Sequence, residues 1–273
     1  MRISLLEGRR CGPRLMAGLI QRRSHIHIMA DARTLIPESA MDRHDDFPNG
    51  HLLISPQALK DRLGEASLVL LDVRPTHELA EHGWIPGAVH LDLYGLGLTK
   101  TTPELLDAFI HMMRSQFALR GISLEHTVVA YEETSGIRAA RAFWLLEYLG
   151  HEDVHVLDGG LAAWREAGLE TSREMTAPRA RSFKPNLRPE LFMSADDLHA
   201  RLGEQGLVIL DTRNDDEYYG RSVRAARSGA LPGAVHLEWT HYLDEKGRFK
   251  PQAELAILFE NAGITRDKPV VPY

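Results

Sequence analysis

With 273 residues, 26% of them charged and 44% hydrophobic, the chain has the make-up of a soluble globular protein of two ordinary domains. A net charge of −6 argues against nucleic-acid and anionic-membrane partners, which call for a basic face, and no apolar run approaches the roughly 20 residues of a membrane span. The single cysteine, Cys11, rules out an intrachain disulfide and fits a reducing, cytoplasmic setting.

Residues 1–28 are Arg-rich (Arg2, Arg9, Arg10, Arg14, Arg22, Arg23) with one acid, Glu7. Their longest apolar stretch is too short for a secretory signal. They read as a disordered tail, or as residues before a later start at Met29 or Met41, in preference to an organelle targeting segment. Residues 29–50 are polar and punctuated by Pro and Gly, so 1–50 is expected to be tail and linker.

From there the elements come in two rounds. "SPQALKDRL" (55–63) predicts a helix with Ser55 as N-cap and Pro56 in its first turn, and "LVLLD" (68–72) predicts a strand buried on both faces. Pro86 and Gly87 mark a turn into the next strand. A helix over 103–117, the strand "TVVAY" (127–131), a helix through 150, the strand "VHVLDGG" (154–160) and a closing helix 161–168 follow. Residues 171–190 read as a connector. The second round opens with Ser194 capping "SADDLHARL", then the strand "LVILD" (207–211), the turn at Pro232 and Gly233, a helix over 251–263 and the strand "PVVPY" (269–273).

The two rounds are a repeat. "LVLLDVRPTHE" (68–78) returns as "LVILDTRNDDE" (207–217), "IPGAVHLD" (85–92) as "LPGAVHLE" (231–238), and "TVVAY" as "PVVPY". The first copy continues past its Tyr131 with a loop, two helices and a strand. The second copy is printed as far as Tyr273.

These ordered blocks, with "HVLDGGLAAW" (155–164), resemble the rhodanese (sulfurtransferase) family in its tandem form, over residues 52–273. The resemblance implies an α/β fold of two rhodanese-like domains, each a parallel sheet flanked by helices. Domain 1 (51–170) would be a non-catalytic scaffold, and domain 2 (191–273) catalytic in type but incomplete. It implies a catalytic cysteine directly after Tyr273, so no catalytic residue is expected within the chain, and the 273 residues are expected to be inactive. The expected reaction moves sulfane sulfur from thiosulfate or 3-mercaptopyruvate, through a cysteine persulfide, to cyanide or a thiol. No cofactor, metal, nucleic acid or membrane is called for, and a monomer is expected. Thiolate chemistry suits the task, because a soft anion can hold and release sulfur, and a loop at a helix N-terminus favours the anion.

Arg213 is the expected substrate-binding residue, its guanidinium facing the anionic end of the donor. Asp72, Arg74, Glu78, Asp211 and Glu217 are expected to form buried charge pairs that serve the fold in both copies. Glu132 and Glu133 stand at the nucleophile's place in copy one, where a carboxylate pair would repel an anionic donor. Phe143, Trp144 and Trp164 read as packing residues. Trp84 and Ala230 stand where the family often has His. Arg221, Arg224 and Arg227 read as a solvated loop. Cys11 has no scaffold to orient it, and His25 and His27 lack partners for a metal. A non-catalytic anion- or partner-binding module is the alternative; it would leave the "VVPY" strand exposing an apolar face. A phosphatase using the same topology is a third reading.

Overall fold

The computed structural model describes His44 and residues 46–93, 95–174 and 176–273. The readings for residues 1–43, Cys11, His25 and His27 among them, lie outside the described residues.

The first unit runs β1 (Leu53–Ile54), α1 (Pro56–Arg62), β2 (Leu68–Asp72), α2 (Leu79–His82), β3 (Val89–His90), α3 (Pro103–Leu119), β4 (Thr127–Tyr131), α4 (Ile137–Tyr148), β5 (Val154–Leu157) and α5 (Gly160–Glu166). Its strands are all parallel, in the order β1-β5-β4-β2-β3. β4 is buried along its whole length, which explains its unbroken apolar run. α1 begins as its residues dictate: the Ser55 hydroxyl accepts the Ala58 N–H, and Pro56 occupies a position with no N–H to lose. α3 turns Phe109, Met113 and Phe117, spaced by four, onto the sheet.

The second unit repeats the plan with α6 (Ala195–Ala200), β6 (Val208–Asp211), α7 (Asp215–Tyr218), β7 (Val235–His236), α8 (Gln252–Asn261) and β8 (Val270–Pro272). Its strand order is β7-β6-β8, the counterpart of β3-β2-β4. Register is preserved as well: the Val73 N–H donates to the Tyr131 carbonyl at 2.9 Å, and the Thr212 N–H to the Tyr273 carbonyl at 3.0 Å. Pro272, which has no N–H to give, falls at a position facing away from β6, and the ladder to β6 runs through the Tyr273 N–H to the Leu210 carbonyl at 2.9 Å.

The units share one core. A single apolar cluster contains Phe109, Phe117 and Phe143 of the first unit together with Leu210, Tyr242, Phe249 and Phe259 of the second. The expectation of an exposed "VVPY" strand is corrected here. Val270 and Val271 are each only 2% exposed, and Val271 packs among Tyr148, Leu191, Met193, Leu198 and Ile209. Tyr148 at the end of α4, Leu191 and Met193 just past the connector, and Leu198 of α6 together cover this face. The linker boundary is corrected too. Phe47 is buried in the shared core, and buried His44 places Nε2 3.0 Å from Asp158 Oδ2, so the packed unit begins before residue 51.

Candidate active site

Each unit ends β2 or β6 on the same three-residue clamp. In the first, Arg74 Nε lies 3.0 Å from Asp72 Oδ1, and Nη2 lies 2.6 Å from both Asp72 Oδ2 and the Gly83 carbonyl. In the second, Arg213 Nε lies 2.9 Å from Asp211 Oδ1, and Nη2 lies 2.5 Å from Oδ2 and 3.1 Å from the Gly229 carbonyl. The third member is a tyrosine. Tyr131 Oη accepts the Ile85 N–H at 3.1 Å, and Tyr273 Oη accepts the Leu231 N–H at 2.9 Å. Tyr131 also hydrogen-bonds Asp72, and Tyr273 hydrogen-bonds Asp211. Burial raises both phenols, Tyr131 well above its usual value and Tyr273 to about 12. Burial alone would raise the Asp211 carboxyl, but hydrogen bonds from Arg213 and Tyr273 outweigh it and hold the group below the usual range.

Asp72, Arg74 and Asp211 therefore sit as expected. Glu78 and Glu217 do not. Glu78 is half-buried and makes no ion pair among the described residues, and Glu217 faces Arg224 at 3.4 Å. The tyrosines take the place expected of the glutamates. The repeated Tyr at the end of both "TVVAY" and "PVVPY" carried that signal.

The arginines differ in one respect. Arg74 is fully buried, and its Nη1 makes no hydrogen bond among the described residues but lies 3.8 Å from Glu133 Oε2 in the loop after β4. Arg213 is 13% exposed, and its Nη1 has no hydrogen-bond partner among the described residues.

Beyond Tyr131 the loop shows what the fold builds at the end of this strand. Glu132 turns inward and is 6% exposed. Its Oε1 accepts the Arg138 N–H at 2.7 Å and the Ala139 N–H at 2.9 Å, at the start of α4, while Oε2 lies 3.2 Å from Arg138 Nη1. These are donors a helix N-terminus leaves unsatisfied, aimed at an anion. Burial raises the Glu132 carboxyl above its usual range, against those two N–H groups and Arg138. A Cβ on Gly136 would come within 2.8 Å of Glu132 Oε1, so the loop closes tightly around the carboxylate. The Glu132 and Glu133 carbonyls accept the Leu161 and Ala162 N–H groups of α5 at 2.9 and 2.8 Å. The two carboxylates at this place have partners of their own: Glu132 fills an anion cradle, and Glu133 is paired with Arg165 and faces Arg74.

The second unit closes over this loop. A hairpin, pinned by the bridge between Leu243 and Phe249, brings the Gly247 carbonyl 2.9 Å from the Ser135 N–H. The Phe249 N–H donates to Asp158 Oδ1 at 2.8 Å, and Asp158 also accepts the Ser135 hydroxyl at 3.0 Å. Arg248 and Lys246 both pair with Glu166. A cleft lined by Ser55, Gln57, Glu166 and Arg248 opens beside this contact. Asp158 and Gly247 were not singled out from the sequence. Their roles depend on partners on the other unit.

Arg221 pairs with Asp216 at 2.6 Å and Arg224 with Glu217, as a solvated loop would. Trp84 gives its indole N–H to the Glu174 carbonyl at 2.9 Å. Trp144 gives its own to the Leu191 carbonyl at 3.0 Å, tying α4 to the connector. No cluster of His, Cys, Asp or Glu suited to a metal occurs among the described residues, and no helix there is long and apolar enough to cross a membrane.

Comparison with known proteins accords with this geometry. The family model "Rhodanese-like domain" matches residues 55–167 and 194–273. A "Thiosulfate sulfurtransferase" of Azotobacter vinelandii is 36% identical over 229 residues, covering 84% of each chain. A "Probable 3-mercaptopyruvate sulfurtransferase" of Pseudomonas aeruginosa is 34% identical, covering 80% of this chain and 81% of that one. Among solved structures, SseA from Escherichia coli, described as a 3-mercaptopyruvate sulfotransferase of "rhodanese" fold, superimposes with a TM-score of 0.68 at 26% identity, over 80% of this chain and 86% of that one. Two matched segments, two units of one topology and relatives aligned across most of their length place the chain in the rhodanese family.

Proposed function

We propose that this protein is a two-domain sulfurtransferase that takes sulfane sulfur from thiosulfate or 3-mercaptopyruvate and passes it to cyanide or a thiol acceptor. The nucleophile is a cysteine placed directly after Tyr273, and the first unit is its scaffold. The observation that carries this reading is the equivalence of Tyr131 and Tyr273. They make the same backbone and hydroxyl bonds, and the residue after Tyr131 turns into a helix-capped anion cradle. A thiolate after Tyr273 would meet a loop of the same design, which favours the charged form needed to attack sulfur. The thiolate attacks the outer sulfur of thiosulfate or the thiol sulfur of 3-mercaptopyruvate; an S–S bond forms as the donor's S–S or C–S bond breaks, and sulfite leaves with the electron pair, or pyruvate leaves as its enolate and takes the thiol's proton at carbon. The acceptor then takes that sulfur from the persulfide.

Arg213 serves the donor's anionic end. In the first unit the matching Arg74 Nη1 faces the Glu133 carboxylate. Arg213 holds the matching place in the second unit, and its planar, permanently charged fork suits the substrate's sulfonate or carboxylate.

The experiment is a thiocyanate assay. Residues 1–273, purified and supplied with thiosulfate and cyanide, are expected to form no thiocyanate above a buffer blank, because Cys11 is their only thiol. Turnover by this chain would overturn the placement of the nucleophile.

A further inference from the structure

The connector between the units is irregular chain anchored by one side chain. Among the described residues from 171 to 190, only Phe183 is buried. Its ring meets Phe117 of α3 at 6.2 Å between centroids and lies over His151 at 6.5 Å, the two planes 17° apart. Main-chain bonds on either side hold the connector down. The Arg181 N–H donates to the Ala118 carbonyl at 2.9 Å, the Asn186 N–H to Leu149 at 3.0 Å and the Arg188 N–H to Tyr148 at 2.9 Å.

His151 is fully buried beneath this anchor. Its Nε2 lies 3.0 Å from the Ser123 carbonyl, which can only accept, so Nε2 carries the proton of the neutral ring. Nδ1 is buried with no partner among the described residues. A second proton would have to go there, and it would find no acceptor. The nearby carboxylates are engaged. Asp153, in the turn before β5, takes the Thr127 hydroxyl and His155, and Glu125, in the turn before β4, takes the Ser123 hydroxyl. The other charged or titratable groups around the ring are His126, whose Nδ1 accepts the Ser123 N–H, Arg114 of α3, whose Nε reaches the Phe183 carbonyl, and Lys184, exposed beside Phe183. Burial holds His151 below the usual histidine range, against the Ser123 carbonyl, Asp153 and Glu125.

We propose that His151 and Phe183 form an acid-released latch: when Nδ1 of His151 takes up a proton, Phe183 lets go and residues 179–188 lift from the first unit. The released ring binds that proton more readily than the docked one. The latch is therefore at full strength above about pH 6.5 and weakens as pH falls below it. His151 precedes β5 and Ser123 precedes β4, so the latch lies at the opposite end of the sheet from Tyr131 and is independent of the proposed sulfur chemistry.

Hydrogen exchange read by mass spectrometry on the intact chain tests this, in peptides spanning 179–188, with rates corrected for the intrinsic effect of pH. In the wild type the open fraction is expected to rise by up to about tenfold per pH unit below about pH 6.5, while β4 stays protected. His151→Gln keeps a donor for the Ser123 carbonyl and cannot take the proton, so its connector is expected to stay docked without pH dependence. His126→Gln is expected to keep the wild-type dependence, and Phe183→Ala to expose the connector at every pH. Protection that ignores pH in the wild type overturns the latch. So does a dependence that survives in His151→Gln or vanishes in His126→Gln, or β4 opening in step with the connector. Should His151→Gln fail to fold, nuclear magnetic resonance titration of the wild-type rings decides. A His151 midpoint below the usual histidine range supports the latch, and one at or above it overturns it.

Discussion

At the scale of single residues, the same groups recur in both units. Tyr131 is fully buried, and its hydroxyl satisfies both the Ile85 N–H and Asp72. Tyr131→Phe leaves a buried donor and a buried carboxylate short of a partner, and it is expected to cost about 1–3 kcal/mol in a urea titration. Titration separates Glu132 from Asp211 by sign. The Glu132 carboxyl is raised in the fold, so its contribution to stability is full below the usual carboxylate range and is lost as pH rises through the raised value. Asp211 is held low, so its contribution is present above the usual range and is lost as pH falls through the lowered value. Urea titrations across pH on Glu132→Gln and Asp211→Asn are expected to remove these two slopes, one each. Matching pH profiles for the wild type and both variants would contradict the assignments. How far residues were legible depended on whether their partners lay nearby in the chain. Asp72 and Arg74 are two apart and declared themselves. The inward turn of Glu132 was not legible, because the N–H groups that receive it belong to the backbone of α4 and leave no mark in the side-chain pattern.

At the scale of elements, the repeat made most of the architecture readable. The N-caps at Ser55 and Ser194, the helix over Pro103–Leu119 and the strands β2, β4, β6 and β8 all lie where local chemistry put them. The contacts between units were not readable. The Phe249 N–H reaches Asp158 across 91 residues of sequence, and only the folded arrangement brings Gly247 against Thr134. Gly247 has φ +70°, and a Cβ there would lie 2.5 Å from the Thr134 Cβ. Gly247→Ala is therefore expected to cost about 1–3 kcal/mol through backbone strain alone, with the clash added. The same substitution at Gly64, also at positive φ but in open space, is expected to cost only the strain. Equal melting temperatures for the two variants would contradict the docking role of the hairpin.

At the scale of the whole molecule, the two units behave as one packed body, since a single cluster runs through both and Tyr148 of the first unit's α4 joins Leu198 of α6 over the face of β8. Tryptophan fluorescence and far-ultraviolet circular dichroism are expected to report one coincident unfolding transition. Two separated transitions would mean that the shared core contributes little. Peptide mapping shows where sulfur is held. The protein purified from its source is treated with thiosulfate, digested, and searched by mass spectrometry for one added sulfur. That sulfur is expected on a cysteine joined directly to Tyr273. Sulfur on Cys11, or on no peptide at all, would contradict it.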